Sequence, residues 1–343
     1  MAFVIGKDRI PAGSRKTVDL PFSVLSNHTP MTLPVHVVHG RKTGPTLFLS
    51  AAVHGDEILG VEIIRRVLRT PALDRLQGTL LAVPIVNAYG FINHSRYLPD
   101  RRDLNRSFPG SEGGSLAAQL ADMFMREVVV RSDMGIDLHT AAAHRTNLPQ
   151  IRTSANNPKT LELAEAFGAP VILKSPLRDG SLRKSASEAG VDVLLYEAGE
   201  ALRFDEWSIR VGVKGILRVM KRLGMIAGKS SSSSKIKPVV SRSSFWMRAP
   251  EGGILRLFKA AGDSVAAGEV VGIVTDPFGD VEIEIPAPED GIIIGRTNLP
   301  TVNQGDAIAH IARVPKHREA QDRVGQMEEE LGGDPLFDED EII

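Results

Sequence analysis

An uncharged apolar run, followed at once by a segment of helical periodicity, most constrains how this chain can fold. The run spans residues 45–53 and is compatible with a buried strand. Residues 58–68 then place apolar side chains at helical spacing, and further apolar runs follow at 78–87 and 134–140. Strands that alternate with helices in this way predict an α/β fold with a mixed, mostly parallel sheet and helices on both faces.

A cluster of polar and small residues, His54-Gly55-Asp56-Glu57, occupies the turn between the first of these strands and its helix. Open α/β sheets place their ligands at such an edge, where the strands end. His54 and Glu57 are three residues apart on a tight turn, so they can reach one metal ion together. Hydrolytic zinc sites commonly use two histidines and one glutamate and leave the fourth position to water. Because H-x-x-E also occurs by chance in many chains, the pair alone is weak evidence for a metal.

The composition restricts what such a metal site can contain and where the protein acts. The 343 residues include no cysteine, which excludes disulfides and thiolate ligands and leaves histidine, aspartate and glutamate to hold a metal. A net charge of -1 implies no bulk attraction to nucleic acid or to an anionic membrane. No stretch approaches the roughly twenty apolar residues of a membrane span, and the first residues do not resemble a signal peptide. We therefore expect a soluble, cytoplasmic protein of two domains.

A histidine at the end of a later strand could complete the ligand set. The predicted strand at 134–140 carries Asp137 and His139 near its end. Because the strand ends of a doubly wound sheet converge on one edge, His139 is the predicted third ligand, and Asp137 would orient an imidazole or a neighbouring arginine. The alternative is a buried histidine that bonds a backbone carbonyl. His144 and His94 are rival ligands in looser contexts, and the remaining histidines of this half are expected at the surface or in turns: His28, His36 and His39.

An irregular loop dense in arginine follows the second predicted strand, at residues 94–110. Within it, Asn105 and Arg106 lie between apolar residues that would tether the loop to the body of the protein. A tethered guanidinium suits the bidentate binding of a carboxylate or the stabilisation of a developing oxyanion. The alternative is a charged surface loop without a function. Since loops on a rigid sheet commonly carry functional groups, we expect a role in binding.

An acid also lies where a later strand, at residues 191–196, is predicted to end. Helices are predicted before it, at 158–167 and 181–189. Burying Glu197 at the tip of a strand costs free energy unless the carboxylate is paired or takes part in function. We therefore predict Glu197 as a general base and expect Glu200, three residues further on, to be exposed.

These segments occur in the order seen in succinylglutamate desuccinylases and aspartoacylases, which are zinc amidohydrolases with a carboxypeptidase-like fold. The chain resembles this family over about residues 40–225 through a combination of motifs: His54-Gly55-Asp56-Glu57, residues 87–91, Arg96-Tyr97, Asp103-Leu104-Asn105-Arg106, Asp137-Leu138-His139 and Glu197-Ala198-Gly199. The resemblance implies one zinc ion (Zn2+) per chain, held by His54, Glu57 and His139. It also implies that Glu197 is the catalytic base and acid.

The resemblance implies roles for further side chains as well. Arg96 would polarise the scissile carbonyl, and Asn105 and Arg106 would bind the substrate carboxylate. Arg183 would match a further substrate-binding arginine of the family. Arg96 and Asn105 lie further apart here than in the aspartoacylase pattern, which predicts a loop insertion beside the pocket.

The implied reaction is hydrolysis of the amide bond of an N-acyl amino acid or a related small N-acylated amine, by metal-activated water with Glu197 as base. Two alternatives remain. A metallocarboxypeptidase acting on short peptides would share the metal and the arginines, whereas a non-catalytic, zinc-stabilised binding protein would need no base. The expected partner is a small N-acylated molecule, with no nucleic acid and no membrane. The oligomeric state stays open, a homo-oligomer included.

The composition changes after residue 226, which predicts four regions: a catalytic domain at 1–226, a serine-rich linker at 227–244, a β-domain at 245–313 and an acidic tail at 314–343. The β-domain resembles the barrel-sandwich fold of lipoyl and biotinyl carrier domains. Its expected hairpin tip, residues 276–280, has no lysine, so a carrier role is not expected. We instead expect this domain to cover the active site, with Trp246 either reaching the pocket or filling the core.

Overall fold

A computed structural model provides the structure of the protein and describes residues 1–154, 157–228 and 236–332. The first strands are β1 (Phe3–Ile5), β2 (Asp8–Ile10), β3 (Ser14–Val24), β4 (Pro30–His39), β5 (Lys42–Ala51), β6 (Gln77–Val83), β7 (Met134–Ala141), β8 (Arg145–Thr153), β9 (Val171–Lys174) and β10 (Asp192–Glu200). The helices of this part are α1 (Leu59–Arg69), α2 (Ala88–Ile92), α3 (Leu116–Glu127), α4 (Pro158–Phe167), α5 (Leu182–Glu188) and α6 (Glu206–Arg222). The C-terminal elements are β11 (Val239–Ser241), β12 (Ser244–Arg248), β13 (Gly253–Leu257), β14 (Ser264–Val265), β15 (Val270–Thr275), β16 (Glu282–Pro286), β17 (Gly291–Thr297), β18 (Thr301–Val302), β19 (Ala307–Arg313) and α7 (His317–Gly332).

The large sheet of the protein is mixed, and its centre is parallel. Strands β10, β7, β5 and β6 lie side by side in this order and run parallel to one another. On one side, β4 and β3 continue the sheet in antiparallel pairing. On the other side, β8 pairs antiparallel with β10, and β9 and β11 extend from β8 in parallel. This arrangement confirms the predicted α/β class with a mixed, mostly parallel sheet.

Helices cover both faces of this sheet because the side chains of a strand point alternately to its two sides. Leu47 and Leu49 of β5 pack on one face with the apolar sides of α1, α4 and α6. Phe48, between them, points to the opposite face and packs with α3 and α5. All three side chains are fully buried. The continuous apolar run of β5 therefore reflects a strand with a core on each side, as the sequence predicts.

The carboxyl ends of the parallel strands bring residues together that are distant in sequence. β5 pairs with β7 as far as Ala51 opposite Leu138. β10 pairs with β7 so that Glu197 lies beside His139. The turn that carries His54 follows directly after β5. These three strand ends meet at one edge of the sheet, where open α/β folds bind their ligands.

The C-terminal β region is joined to the large sheet. β17 pairs antiparallel with β8, with Gly295 opposite Asn147, and β19 and β12 continue the sheet beyond β17. A second sheet, in the order β16-β15-β13-β18, shares an apolar core with β17 and β19 through side chains such as Val271, Ile293 and Ile308. The additional antiparallel β region is therefore present, as predicted.

The predicted linker and the predicted acidic tail both contain regular secondary structure in their described residues. β11 lies within the predicted linker 227–244 and pairs with β9, whereas residues 229–235 lie outside the described residues. Helix α7 begins within the predicted tail 314–343 and buries Ala320 and Val324, whereas residues 333–343 lie outside the described residues. The division into domains stays a prediction. In the described ranges, no helix has the length and apolar character needed to span a membrane.

Candidate active site

The turn after β5, residues 54–57, is held by a close crossing of two backbone segments. Asn87 donates its backbone N–H to the carbonyl of Ala52 at 2.9 Å, which ties the turn to the segment after β6. A Cβ built on Gly55 would lie 2.0 Å from the carbonyl carbon of Gly90. Only glycine fits at such an approach. The glycine of the motif thus allows the turn to pack against its neighbour and to present His54 and Glu57 inward.

His54, Glu57 and His139 converge at the carboxyl ends of β5 and β7, and all three are buried. His54 Nδ1 lies 2.7 Å from Glu57 Oε1, and His139 Nδ1 lies 2.7 Å from the other carboxylate oxygen, Oε2. One ligand atom from each residue lies within 4.8 Å of the other two. Within the described part of the chain, no other group of three or more His, Asp and Glu side chains is arranged to hold a metal ion.

Carboxylates also hold the remaining nitrogens of both imidazoles. His139 Nε2 lies 2.7 Å from Asp137 Oδ2, and Ser50 Oγ donates to the other oxygen of Asp137 at 2.7 Å. His54 Nε2 lies 3.1 Å from Asp103 Oδ1. Outer hydrogen bonds of this kind orient metal-ligating imidazoles and increase their basicity. Asp137 is predicted for this position from sequence, whereas the contact of Asp103 with His54 is not.

The charged forms of His54, His139 and Glu57 are favoured although all three side chains are buried. Burial opposes the charge, but the carboxylates of Glu57 and Asp103 raise the pKa of His54. Burial likewise opposes the charge of His139, whose pKa Asp137 and Glu57 hold well above its ordinary value. Burial alone would raise the pKa of Glu57, but the two imidazoles hold it well below its usual range. Glu57 therefore carries a negative charge between two positively polarised rings.

The donor set of the cluster fits a zinc ion. Two imidazole nitrogens and one carboxylate oxygen are the protein ligands of hydrolytic zinc sites. The Nδ1 atoms of both histidines face a single carboxylate, and both Nε2 atoms are held by other carboxylates. The chain contains no cysteine, so the site relies on nitrogen and oxygen donors alone.

A single cavity of about 460 Å³ is lined by all of the site residues predicted from sequence. They are His54, Glu57, His139, Arg96, Asn105, Arg106, Arg183 and Glu197. Seven arginines line this cavity against three acids, Glu57, Asp137 and Glu197. The excess of guanidinium groups favours anionic ligands.

Arg96 reaches the histidine and glutamate cluster from the loop after α2. Its Nη1 donates to Glu57 Oε1 at 3.2 Å, and its Nε and Nη2 donate to Asp103 Oδ2 at 3.2 and 3.0 Å. Burial opposes its charge, but these two carboxylates raise the pKa of Arg96. Because a guanidinium carries five N–H groups, donors remain for a bound molecule.

Asn105 and Arg106 lie in a single 3-10 turn that Asp103 caps by accepting the Asn105 backbone N–H at 2.8 Å. Asn105 Oδ1 accepts the backbone N–H of Leu182 at 2.9 Å, which ties the turn to the start of α5. Leu104 is fully buried beneath the turn. The arginine-rich loop is therefore tethered to the body of the protein, and it presents both predicted side chains to the cavity.

Glu197 lies within β10 and not at its end, so the predicted strand end at residue 196 is wrong. The strand runs on to Glu200 because residues 197–200 still pair with β7 and β8. Asn147 Nδ2 donates to Glu197 Oε2 at 2.8 Å, and Arg152 Nη1 lies 3.5 Å from Oε1. Sequence reasoning missed both of these β8 side chains. They reach it because β8 pairs with β10, with the buried Gln150 opposite Glu197 and Asn147 opposite Gly199, a pairing for which the sequence holds no local signal.

Arg183 of α5 is half-buried in the cavity wall, and no ion pair with a carboxylate is found for it among the described residues. Its Nη2 donates to Ser175 Oγ at 3.0 Å and to the carbonyl of Pro176 at 2.8 Å, whereas Nη1 has no hydrogen-bond partner in the described residues. Burial and the nearby guanidinium groups of Arg152 and Arg178 lower the pKa of Arg183 to about 10. An anionic ligand would offset the free-energy cost of placing these like charges close together.

The C-terminal β region contributes further cavity residues. Trp246 of β12 and His310 of β19 stack with ring centroids 4.4 Å apart and planes inclined by 7°. The guanidinium carbon of Arg145 lies 5.4 Å from the centroid of the Trp246 ring. His310 Nε2 lies 2.8 Å from Ser244 Oγ. Trp246 therefore reaches the pocket, which is one of the two alternatives predicted for it. His310 is a further lining residue, for which the sequence holds no signal.

The rival histidines lie outside the cavity lining. His144 and His94 occupy turns with φ of 63° and 51°. The backbone N–H of His144 donates to Glu200 Oε1 at 2.8 Å, and Asn298 Nδ2 donates to Glu200 Oε2 at 2.9 Å. Glu200 is therefore half-buried, and not exposed as the sequence predicts, because it links two turns beside the cavity.

The chain is similar to known proteins in sequence and in fold. A family model, the succinylglutamate desuccinylase/aspartoacylase catalytic domain, matches residues 43–223, a range that contains all of the predicted site residues. One curated relative, the N-alpha-acetyl-L-2,4-diaminobutyric acid deacetylase of Halomonas elongata, is 31% identical over 294 residues, which cover 82% of this chain and 86% of the relative.

Solved structures show the same fold. A succinylglutamate desuccinylase/aspartoacylase from Rhodobacter sphaeroides has a TM-score of 0.78 at 26% identity, with 87% of this chain and 94% of that chain covered. A succinylglutamate desuccinylase from a Silicibacter species has a TM-score of 0.77 at 25% identity, with 88% and 94% covered. The similarity therefore includes the C-terminal β region as well as the part that carries the cavity.

Proposed function

Because the chain belongs to the succinylglutamate desuccinylase/aspartoacylase family, we propose that it is a zinc-dependent deacylase. Its substrate would be an N-acyl amino acid or a related small N-acylated amine. The observation that carries the proposal is the buried cluster of His54, Glu57 and His139 beside Glu197 in one cavity. The relative from Halomonas elongata, a deacetylase by name, supports a deacylase over a peptidase.

His54, Glu57 and His139 would hold the zinc ion. When bound, zinc supplies a Lewis acid that makes water more acidic and polarises an amide carbonyl. Asp103 and Asp137 would keep the two imidazoles oriented through their contacts with Nε2. The remaining steps belong to side chains of the chain itself.

Glu197 would act first as a base and then as an acid. It lies beside His139 in the sheet, and Asn147 holds one of its two oxygens. As a water oxygen bonds to the amide carbonyl carbon, the carboxylate would take the water proton. It would then give this proton to the amide nitrogen while the carbon–nitrogen bond breaks. The products are a carboxylate and a free amine.

The arginines would bind and polarise the substrate. Arg96, with N–H groups left over from its two carboxylate partners, would offset the charge that develops on the carbonyl oxygen. Asn105 and Arg106 would bind the substrate carboxylate from the tethered 3-10 turn. Arg183 would offer Nη1, which has no hydrogen-bond partner among the described residues, to a further acceptor on the substrate.

Two matched substrate panels test this function. Purified protein is assayed for zinc content and then for amine release from N-acyl amino acids, N-acetyl-2,4-diaminobutyrate included, and from dipeptides that contain the same amino acids. We expect release from the N-acyl panel alone. Release from the dipeptides would indicate a carboxypeptidase, and zinc-loaded protein that hydrolyses neither panel would contradict an enzyme and favour a binding protein.

A further inference from the structure

The direction of the Glu197 side chain depends on an irregular part of β10. The pairing of β10 with β8 changes register between Glu197 and Gly199, and the pairing with β7 changes register between Glu197 and Glu200. Gly199 has a φ of 68°, in the left-handed region that favours glycine. Bulges of this kind redirect side chains. The hydrogen-bond ladder alone therefore does not set where the Glu197 carboxylate points.

Asn147 of β8 holds this carboxylate directly. Its Nδ2 donates to Glu197 Oε2 at 2.8 Å, and the residue is only 7% exposed. Arg152 Nη1, at 3.5 Å from Oε1, is too distant for a strong hydrogen bond. Among the described residues, Asn147 thus makes the shorter and better defined contact with Glu197.

Strand β17 of the C-terminal β region closes the space behind Asn147. β8 lies between β10 and β17, and Asn147 is paired with a glycine on each neighbour, Gly199 and Gly295. A Cβ built on Gly295 would lie 2.6 Å from Asn147 Oδ1, a distance that real Cβ atoms essentially never show. Glycine at position 295 therefore leaves room for the amide in the orientation that directs Nδ2 at Glu197.

We infer that Asn147 is a positioning residue for Glu197, and that Gly295 provides the space that its amide needs. The inference rests on the proposed function, in which Glu197 transfers the proton. Gly295 itself does not line the cavity. The C-terminal β region thus contributes to catalysis through a backbone position, in addition to the side chains that it places in the cavity wall.

The substitution Asn147→Ala tests whether Asn147 positions Glu197. It removes the donor and lets the carboxylate turn away, so kcat on an N-acyl amino acid should fall about 10- to 100-fold while KM changes less than about twofold. Zinc content and the thermal midpoint are measured on the same preparation and should stay close to those of the wild type. A variant with wild-type kcat would overturn the inference. A variant in which KM alone rises would also overturn it, because a change in KM alone indicates that Asn147 contacts the substrate.

Asn298→Ala is the matched control. Asn298 Nδ2 donates to Glu200 Oε2 at 2.9 Å, which is also an amide-to-carboxylate bond and reaches the same strand, β10, but lies outside the cavity lining. Loss of this hydrogen bond in Asn298→Ala should leave kcat within about twofold of the wild type, since Glu200 takes no part in the proposed reaction. A loss of kcat as large as that of Asn147→Ala would point to a general effect on β10 and would overturn the specific role of Asn147.

The substitution Gly295→Ala, in a double-mutant cycle with Asn147→Ala, tests whether Gly295 provides space for the Asn147 amide. Alone, it should lower kcat by displacing the Asn147 amide. In the Asn147→Ala background it should have no further effect, because the next neighbours of the added methyl are the Thr146 carbonyl oxygen at 3.4 Å and the His310 Cβ at 3.6 Å. Additive losses would overturn the role of Gly295. If Gly295→Ala alone does not fold, recovery of folding in the double variant supports the same contact, and failure of the double variant overturns it.

Wild-type turnover separates this inference from the proposed function. Protein that hydrolyses no N-acyl amino acid would overturn both. Active wild-type protein together with a fully active Asn147→Ala variant would overturn the positioning role alone and leave the deacylase function in place.

Discussion

The carboxylate of Glu57 lies 2.7 Å from an imidazole on each side, and each imidazole has a second carboxylate at its other nitrogen. Ionised groups buried to this degree are costly unless each has a partner. Here five side chains from three parts of the chain satisfy one another: His54 and Glu57, Asp103, Asp137 and His139. Removing any one of them would leave a buried group uncompensated, so substitutions in this cluster affect stability as well as activity.

The proposed proton-transfer role of Glu197 can be tested by a nearly isosteric change. In Glu197→Gln, an amide replaces the carboxylate and cannot accept the proton, so kcat should fall by about 10²- to 10⁴-fold while zinc is retained. Metal analysis and kinetics on one preparation check this. Glu200→Gln, on the same strand but outside the cavity lining, serves as the control and should remain active. A zinc-loaded Glu197→Gln variant with the wild-type kcat would refute the assigned role.

His310 should stay neutral far below the pH at which an ordinary histidine takes up a proton. Burial, together with the guanidinium groups of Arg152 and Arg178, lowers its pKa from 6.5 to about 3. Between these pH values the unfolded chain binds a proton at His310 that the folded chain does not, so this residue lowers stability as the pH falls from 6.5 toward 3.

Two measurements check the neutral state of His310. Its ring C–H resonances should not shift between about pH 5 and pH 8, the range in which an ordinary histidine titrates. The free energy of unfolding of His310→Gln, relative to that of the wild type, should rise as the pH is lowered through this window. A ring that titrates near its ordinary pKa would contradict the prediction.

At the scale of secondary structure, helix α1 fixes the turn that carries His54 and Glu57. The helix begins at Leu59, directly after the turn, and buries Leu59, Ile63 and Val67 against the sheet. Its Gly60 lies so close to β5 and β7 that a Cβ would be 2.7 Å from the Cβ atoms of both Ala51 and Leu138. The close approach of this helix to the strand ends holds the turn that carries His54 and Glu57 in place.

The substitution Gly60→Ala should therefore destabilise the protein. The added methyl would overpack the contact between α1 and the two strands, at a cost of about 1–3 kcal/mol in the free energy of unfolding. Chemical denaturation measures this. Gly325→Ala in α7 is the control, because a Cβ there meets no atom within 4 Å, and alanine should stabilise this helix by about 0.5–1 kcal/mol. Equal effects of the two substitutions would contradict the packing argument.

At the scale of the whole molecule, one sheet runs from the N-terminal strands through the candidate site into the C-terminal β region. β8 is the strand that joins the two parts, with β10 on one side and β17 on the other. Because of this continuity, Trp246, Arg296 and His310 line the same cavity as His54 and Glu57. The C-terminal region thus forms part of the cavity wall.

Removal of the proposed zinc ion should affect the whole molecule, since a ligand that binds only the folded state stabilises it. At a free zinc concentration 100-fold above the dissociation constant, the gain in the free energy of unfolding is about 2.7 kcal/mol. Treatment with a chelator should therefore abolish hydrolysis and lower the thermal midpoint, and added zinc should restore both. Calorimetry and activity assays check this together. Chelated, metal-free protein with full activity and an unchanged midpoint would contradict zinc dependence.

Short-range patterns in the sequence determined much of the fold. The apolar runs at 45–53 and 134–140 became β5 and β7, and the helical spacing at 158–167 became α4 with the same bounds. These elements are decided locally, because burial on both faces requires a continuous apolar strand and a helix requires apolar residues on one side. The pairing of His54 with Glu57 is likewise local, since only two residues of a tight turn separate them.

Tertiary structure alone decided the rest. Asp103 beside His54, Asn147 and Arg152 on Glu197, and His310 in the cavity wall are contacts between segments that no local pattern connects. The pairing of β8 with β17 joins residues roughly 150 apart in sequence, and alternation along a strand is compatible with many partners. Local periodicity determines which residues form strands and helices, but which strands become neighbours depends on the packing of the complete chain, and that choice completes the site.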